Sequence, residues 1–230
     1  MWTHLAVLIL IFASPLIINS GKGMSSKTEQ QDPSDIRLLL NGRIWYNKYS
    51  GVIGHPYFLT DKFLKGSVIY NGRKFTGIDI RYDLISDELI LRTESHPIII
   101  MNKEMVDSFS LNFENSDYHI INSGNQMNSS MQGYVCILYN GPSTLYVKYL
   151  KKILPQAVDG RYDQIFQEHF IYIRQGSEII PVEEKKKLLS LLDYKKTELR
   201  NLYKKNRIRI SRKDPGTFIP LLKYYDSINK

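Results

Sequence analysis

Between Gly66 and Thr93 apolar and polar positions alternate with a period of two, and Ile78, Ile80 and Tyr82 interleave with Asp79, Arg81 and Asp83. A period of two puts one row of side chains in a core and the other in water, which is the signature of a half-buried strand. The stretch predicts three successive antiparallel strands, Ser67–Tyr70, Lys74–Tyr82 and Glu88–Arg92. Asn71-Gly72 joins the first two: a type I′ turn needs φ > 0 at both central residues, and Asn and Gly tolerate that best. The second corner, Asp83 to Asp87, is rich in turn formers.

The same reading extends along the chain. Ile36–Leu40, Asn41-Gly42 and Arg43–Tyr49 predict a further hairpin, or a strand reached through a short turn. Gly51–Leu64 has two glycines, Pro56 and several large apolar side chains, and predicts an ordered loop laid against the sheet. Pro97–Met101, Val106–Phe113, Tyr118–Ile121, Tyr134–Tyr139, Thr144–Leu150, Phe166–Arg174 and Glu178–Val182 complete a series of strands. Hairpin follows hairpin with no βαβ spacing, so the sheet is expected to be antiparallel. After Pro181 the period changes. Leu188, Leu189, Leu191 and Leu192 mark a short amphipathic helix. A second, Tyr194–Asn206, is capped by Asp193 and buries Leu199, Leu202 and Tyr203. A third, Phe218–Ile228, is capped by Thr217 and carries Pro220 in its first turn. The expected fold is therefore α+β: a curved antiparallel meander or partly open barrel over residues 36–182, followed by three helices within a basic segment, 183–230, that packs on the sheet.

Charge sharpens this division. The formal net charge is +8, yet residues 21–144 carry 12 Lys/Arg against 13 Asp/Glu, whereas residues 145–230 carry 19 against 10. Anionic partners are thus expected at the C-terminal third. Residues 1–20 contain the apolar run Leu5–Ile18, too short to span a bilayer comfortably, and then the small residues Asn19-Ser20-Gly21; this reads as a signal peptide, with no transmembrane span after its removal. Residues 21–35 are polar and aperiodic and read as a disordered linker. Cys136 is the single cysteine and sits inside an apolar strand, as a small buried hydrophobe does.

Little in the sequence has the spacing of a reaction centre. His55, His96, His119 and His169 are scattered in no metal-ligand pattern, and no cofactor or metal is expected. Asp79, Asp83, Asp87 and Glu88 are the densest acids, but they fall on the polar face of a strand or in a turn. They read as solvated carboxylates with Arg81 pairing among them. Two polar resources remain. Lys195, Lys196, Arg200, Lys204, Lys205, Arg207 and Arg209 form a cationic stretch suited to a solvated helix face or to an anionic surface such as phospholipid or lipopolysaccharide head groups. Trp45, Tyr46 and Tyr57 bracket the loop, where rings fill cores or stack on sugars and peptides. Nucleic acid, the usual partner of a basic run inside cells, is not expected for an exported chain.

The runs Gly54-His55-Pro56-Tyr57-Phe58, Lys65-Gly66-Ser67-Val68, Arg81-Tyr82-Asp83, Asp87-Glu88-Leu89 and Leu138-Tyr139-Asn140-Gly141, with the ending around Tyr224-Tyr225, resemble a group of exported proteins of Bacteroidetes-type bacteria. That resemblance implies an envelope location, periplasmic or outer-envelope associated, and adds no site. Three functions stay open: a non-enzymatic envelope-associated binding or interaction module; a carrier of an apolar ligand such as a lipid, in a cavity lined by Ile78, Ile80, Leu89 and Val135; and a hydrolase of envelope polymer, which needs ionisable groups converging in one cleft.

Overall fold

The computed structural model describes residues 33–124, 131–155, 163–182 and 210–228. One sheet of eleven strands dominates them: β1 (Gly42–Ile44), β2 (Leu64–Tyr70), β3 (Arg73–Asp83), β4 (Glu88–Arg92), β5 (Ile99–Met101), β6 (Val106–Phe113), β7 (Ser116–Asn122), β8 (Tyr134–Asn140), β9 (Ser143–Leu154), β10 (Gln164–Gln175) and β11 (Glu178–Pro181). Their spatial order is β1-β5-β4-β3-β2-β6-β7-β8-β9-β10-β11, every neighbouring pair is antiparallel, and the sheet is open rather than a closed barrel. Apart from the first, at Asn41-Gly42, the predicted hairpins are present. Asn71 and Gly72 take φ of 49° and 75°, as a type I′ turn requires.

Three features depart from the sequence-based expectation. Ile36–Leu40 is not a strand, because helix α1 spans Pro33–Leu39. Pro33 suits a first helical turn, and the helix drives Leu39 into the core. The sheet is also not a simple meander. After β5 the chain makes a 3-10 turn, Lys103–Met105, whose Asn102 side chain accepts from the Glu104 amide. It then runs back beside β2, the Asn71 amide donating to Met105 O at 2.7 Å, so two meanders are stapled through the β2–β6 pair. Finally, one C-terminal helix, α2 (Ile219–Ile228), is present among the described residues, reached through a 3-10 turn at Pro215–Phe218. Asp214, not Thr217, caps this turn, its Oδ1 accepting from the Gly216 amide, while the Thr217 hydroxyl is held by Ser211 and Asp214. The other two expected helices fall within 183–209, outside the described residues, as do the signal segment and nearly all of the linker.

One face of the sheet is filled by the chain's own rings. Tyr82, Phe109 and Tyr134 meet edge to face with centroids 5.0–5.5 Å apart, surrounded by Val68, Phe75, Ile80, Leu89 and Leu111. Gly51–Leu64 behaves as expected: Phe58 N donates to Tyr82 O, Leu84 N to Pro56 O and Ile53 N to Asp163 O. The Lys151 ammonium donates to the carbonyls of His55 (2.9 Å) and Tyr57 (2.7 Å). This loop therefore ties the β3–β4 corner to β9 and β10. Further along this same face, on which Cys136, Val147 and Ile171 lie opposite one another across β8, β9 and β10, the 3-10 turn and α2 lay Phe218, Leu221 and Leu222 on Leu145, Ile171, Ile173 and Val182. The buried Asp226 of α2 accepts from the Tyr139 hydroxyl (2.7 Å) and the Ser143 amide (3.1 Å).

Candidate functional site

The β3–β4 corner is held by its own acids. Asp83 Oδ1 accepts from the amides of Ile85 (2.8 Å) and Ser86 (3.1 Å), an Asx turn that leaves Asp83 only 2% exposed. Asp87 takes a left-handed φ of 55°, a conformation Asp tolerates better than most residues, and this aims its carboxylate inward. There Oδ1 accepts from the Tyr82 hydroxyl at 2.6 Å. Oδ2 meets the Lys103 ammonium at 2.5 Å, the Lys148 ammonium at 3.1 Å and the Tyr134 amide at 3.4 Å. Lys148 also donates to Tyr134 O at 2.9 Å. One carboxylate thus joins a turn (Asp87), the 3-10 turn after β5 (Lys103), the start of β8 (Tyr134) and the middle of β9 (Lys148).

Burial alone would raise the Asp87 carboxyl, but Lys148, Lys103 and the Tyr82 hydroxyl together hold it below the ordinary carboxylate range. Burial lowers the Lys148 ammonium, and Asp87 offsets part of that. The side chains of Asp87 and Lys148 are 19% and 6% exposed, whereas Lys103 keeps 39% and reaches solvent. Gly133 makes the cluster possible: with φ of 83°, its missing Cβ would lie 1.9 Å from Asp87 Oδ2.

Lys103 opens into a cleft of 1070 Å³ lined by Asn41, Gly42, Arg43, Glu88, Asn102, Asn122 and Gly133 among others, with Asp87 in its wall. Glu88 faces two cations as well, Arg43 at 2.5 Å and Lys48 at 3.4 Å. The surface is amide-rich and ionic. With four donors on its two oxygens and a depressed pKa, Asp87 is a poor general base near neutral pH; its chemistry here is to position Lys103.

The expected solvated carboxylates thus need correction. Asp83 and Asp87 are internal, and of that group Asp79 and Glu88 make surface pairs, Asp79 with Lys65 (3.0 Å) and Arg92 (3.3 Å) and Glu88 with Arg43 and Lys48. Arg81 does not join them. Its guanidinium lies 3.7 Å from the Tyr57 ring centroid, 4.3 Å from Phe63 and 5.2 Å from Trp45, and donates to Asp61 O at 2.8 Å. The 45–63 segment roofs the face that alternation assigned to water. Of the aromatic candidates, Tyr57 is therefore core, Trp45 covers Arg81, and Tyr46 is exposed. Lys195, Lys196, Arg200, Lys204, Lys205, Arg207 and Arg209 lie outside the described residues.

The histidines stay apart. His55 stacks on Tyr57, His96 meets Thr93, His119 meets Ser110 and His169 meets Arg212 O. No group of three metal-ligating side chains occurs among the described residues, and no helix among them is long and apolar enough to cross a membrane. Cys136 is buried, and burial pushes its thiol up to about 12, as befits an inert core residue. Sequence reasoning missed Asp87, Lys103 and Lys148 as a unit. The one available signal was Lys148 itself, a lysine in the apolar run Leu145–Leu150. Comparison with protein-family models, curated proteins and solved structures finds no match for this chain.

Proposed function

We propose that this chain is a non-enzymatic binding module of the bacterial cell envelope, and that the cleft beside the β3–β4 corner receives its ligand. The observation that carries the reading is the Asp87–Lys103–Lys148 cluster. It fixes three separate elements around a polar cleft while leaving one ammonium at the surface, which is how a preorganised recognition site is built. The saturation of Asp87 favours recognition over hydrolysis. The lipid-carrier reading is disfavoured by the packing of its supposed lining: Ile78, Ile80 and Leu89 lie in the main core and Val135 in a separate cluster. The cationic stretch 195–209 supplies a second contact, to an anionic envelope surface.

Native mass spectrometry of the mature protein, isolated from its own envelope, tests this. The expected result is a co-purifying polar ligand or protein that is lost in Lys103→Glu while the fold is retained. A bound lipid that persists in Lys103→Glu, or turnover of envelope polymer abolished by Asp87→Asn, overturns it.

A further inference from the structure

The cleft beside the β3–β4 corner pairs off its own charges. Its lining carries Arg43 and Lys103 against Asp87, Glu88 and Glu104. Arg43 lies on Glu88 and Lys103 on Asp87, so these pairs neutralise one another within the wall. Such a surface has no positive field to concentrate an anion, and Glu104 alone attracts a cation only weakly in a wet site.

The hydrogen-bonding capacity that remains is mostly neutral. Asn41, Asn102 and Gln132 line the cleft and are exposed. Among the described residues the side chains of Asn41, Gln132 and Glu104 make no hydrogen bond or ion pair. Of the Asn102 side chain only Oδ1 is engaged, accepting from the Glu104 amide at 3.3 Å. The Asn122 amide, by contrast, is fully engaged: Nδ2 donates to Lys103 O and Val106 O, and Oδ1 accepts from the Gly124 amide. The three open amides stand before β1, before the 3-10 turn and before β8, so a ligand that used them all would bridge three elements.

A side-chain amide presents a donor and an acceptor side by side. A hydroxyl both donates and accepts, so two neighbouring hydroxyls match that edge with two hydrogen bonds. The Lys103 ammonium and Arg43 guanidinium reach solvent and keep further N–H groups beyond those given to carboxylates. The apolar members of the lining, Ile100 and Met101, are only 4% and 3% exposed. The cleft therefore lacks the apolar anchor on which peptide and lipid ligands depend. Its 1070 Å³ gives room for more than one sugar ring, since about 300–1,000 Å³ holds a drug-sized ligand.

We propose that the cleft binds an uncharged oligosaccharide, its neighbouring hydroxyls paired with the side-chain amides of Asn41, Asn102 and Gln132 and with the Lys103 ammonium. The inference rests on the cleft being the binding site and names the class of ligand that fills it.

The probe is an array of immobilised oligosaccharides, neutral ones beside phosphorylated, sulfated and amino-bearing ones, exposed to the full chain. Neutral glycans are expected to be retained, with an affinity that changes less than about twofold between roughly 0.05 and 0.5 M salt, because no ion pair forms with the ligand. The double variant Asn41→Ala, Gln132→Ala is expected to weaken retention about tenfold or more through its lost hydrogen bonds. Neither side chain bonds to the rest of the chain, so the urea midpoint of this variant should be unchanged. Asn102→Asp keeps the acceptor for the Glu104 amide, loses the NH2 group and should weaken retention too. Retention of charged glycans only, of no glycan, or of neutral glycans undiminished in the double variant overturns the proposal. If no glycan is retained while the polar ligand of the native protein is still lost in Lys103→Glu, the saccharide falls and the cleft reading survives. If neutral glycans are held equally well by the double variant and by Lys103→Glu, the cleft reading falls with it.

Discussion

Asp87→Asn tests the centre of the structure with almost no change of shape. The amide keeps an acceptor for the Tyr82 hydroxyl but removes the charge between two ammonium groups. Lys103, at 39% exposure, can turn to water, so its share of the loss is small. Lys148, at 6%, cannot, and an uncompensated buried cation costs about 3–5 kcal/mol. Allowing for the retained bond from Lys148 to Tyr134 O, a loss of about 3 kcal/mol follows. Urea unfolding of the protein reads this directly: with a slope of about 2–3 kcal/mol/M, the midpoint falls by roughly 1–1.5 M. The pH dependence is a second check. Asp87 has a folded pKa below its unfolded value, so its contribution is complete above the unfolded pKa, near 3.8, and is lost as pH falls through the folded one. The wild type should therefore lose stability below about pH 4 more steeply than Asp87→Asn. The double variant Asp87→Asn, Lys148→Met should recover most of the loss. A single-variant change under about 0.5 kcal/mol, or no recovery in the double variant, refutes the account of the cluster as a buried, mutually dependent unit.

Other positions give independent outcomes. Gly133→Ala should destabilise by about 2 kcal/mol or more, through its positive φ and the clash with Asp87, measured by the same urea titration. Tyr134→Phe should raise stability by about 1 kcal/mol, because the Tyr134 hydroxyl is buried and has no hydrogen-bond partner; calorimetry would show it as a higher melting temperature. Asp226→Ala should leave the Ser143 amide and Tyr139 hydroxyl unpaired and speed hydrogen exchange in α2 without altering exchange in β3.

How much of this was legible in the sequence depended on range. Local chemistry was readable: Asn71-Gly72 forms its turn, and strands Glu88–Arg92 and Val106–Phe113 end where the pattern put them. Ile36–Leu40 is ambiguous because a short apolar run suits a strand or a helix equally, and Pro33, which favours a first helical turn, is the local signal for the helix. The alternation through Asp79, Arg81 and Asp83 was real, but alternation says which residues share a face and not what covers that face. Trp45, Tyr57 and Phe63, distant in sequence, supplied the cover. The β2–β6 pairing had no local signal.

The ionic cluster shows the same limit and also why it matters. Lys148 and Asp87 are 61 residues apart, so no spacing rule reaches them. Stability alone would not call for such a group, since an apolar set of equal volume commonly serves as well or better. What charges add is directionality: Asp87 accepts from four donors on three elements and a turn residue, and shifting any one breaks a bond rather than sliding along an apolar contact. Replacing Asp87 and Lys148 by Asn and Met should therefore be tolerated by the fold, since Asn accepts the left-handed φ and the Tyr82 hydroxyl, yet free Lys103 from its fixed place beside Arg43 and Asn102. If ligand capture by the cleft falls in a variant that unfolds no earlier than the wild type, the cluster exists for the geometry of the cleft; if capture is unchanged, it exists only to tie the corner to β9.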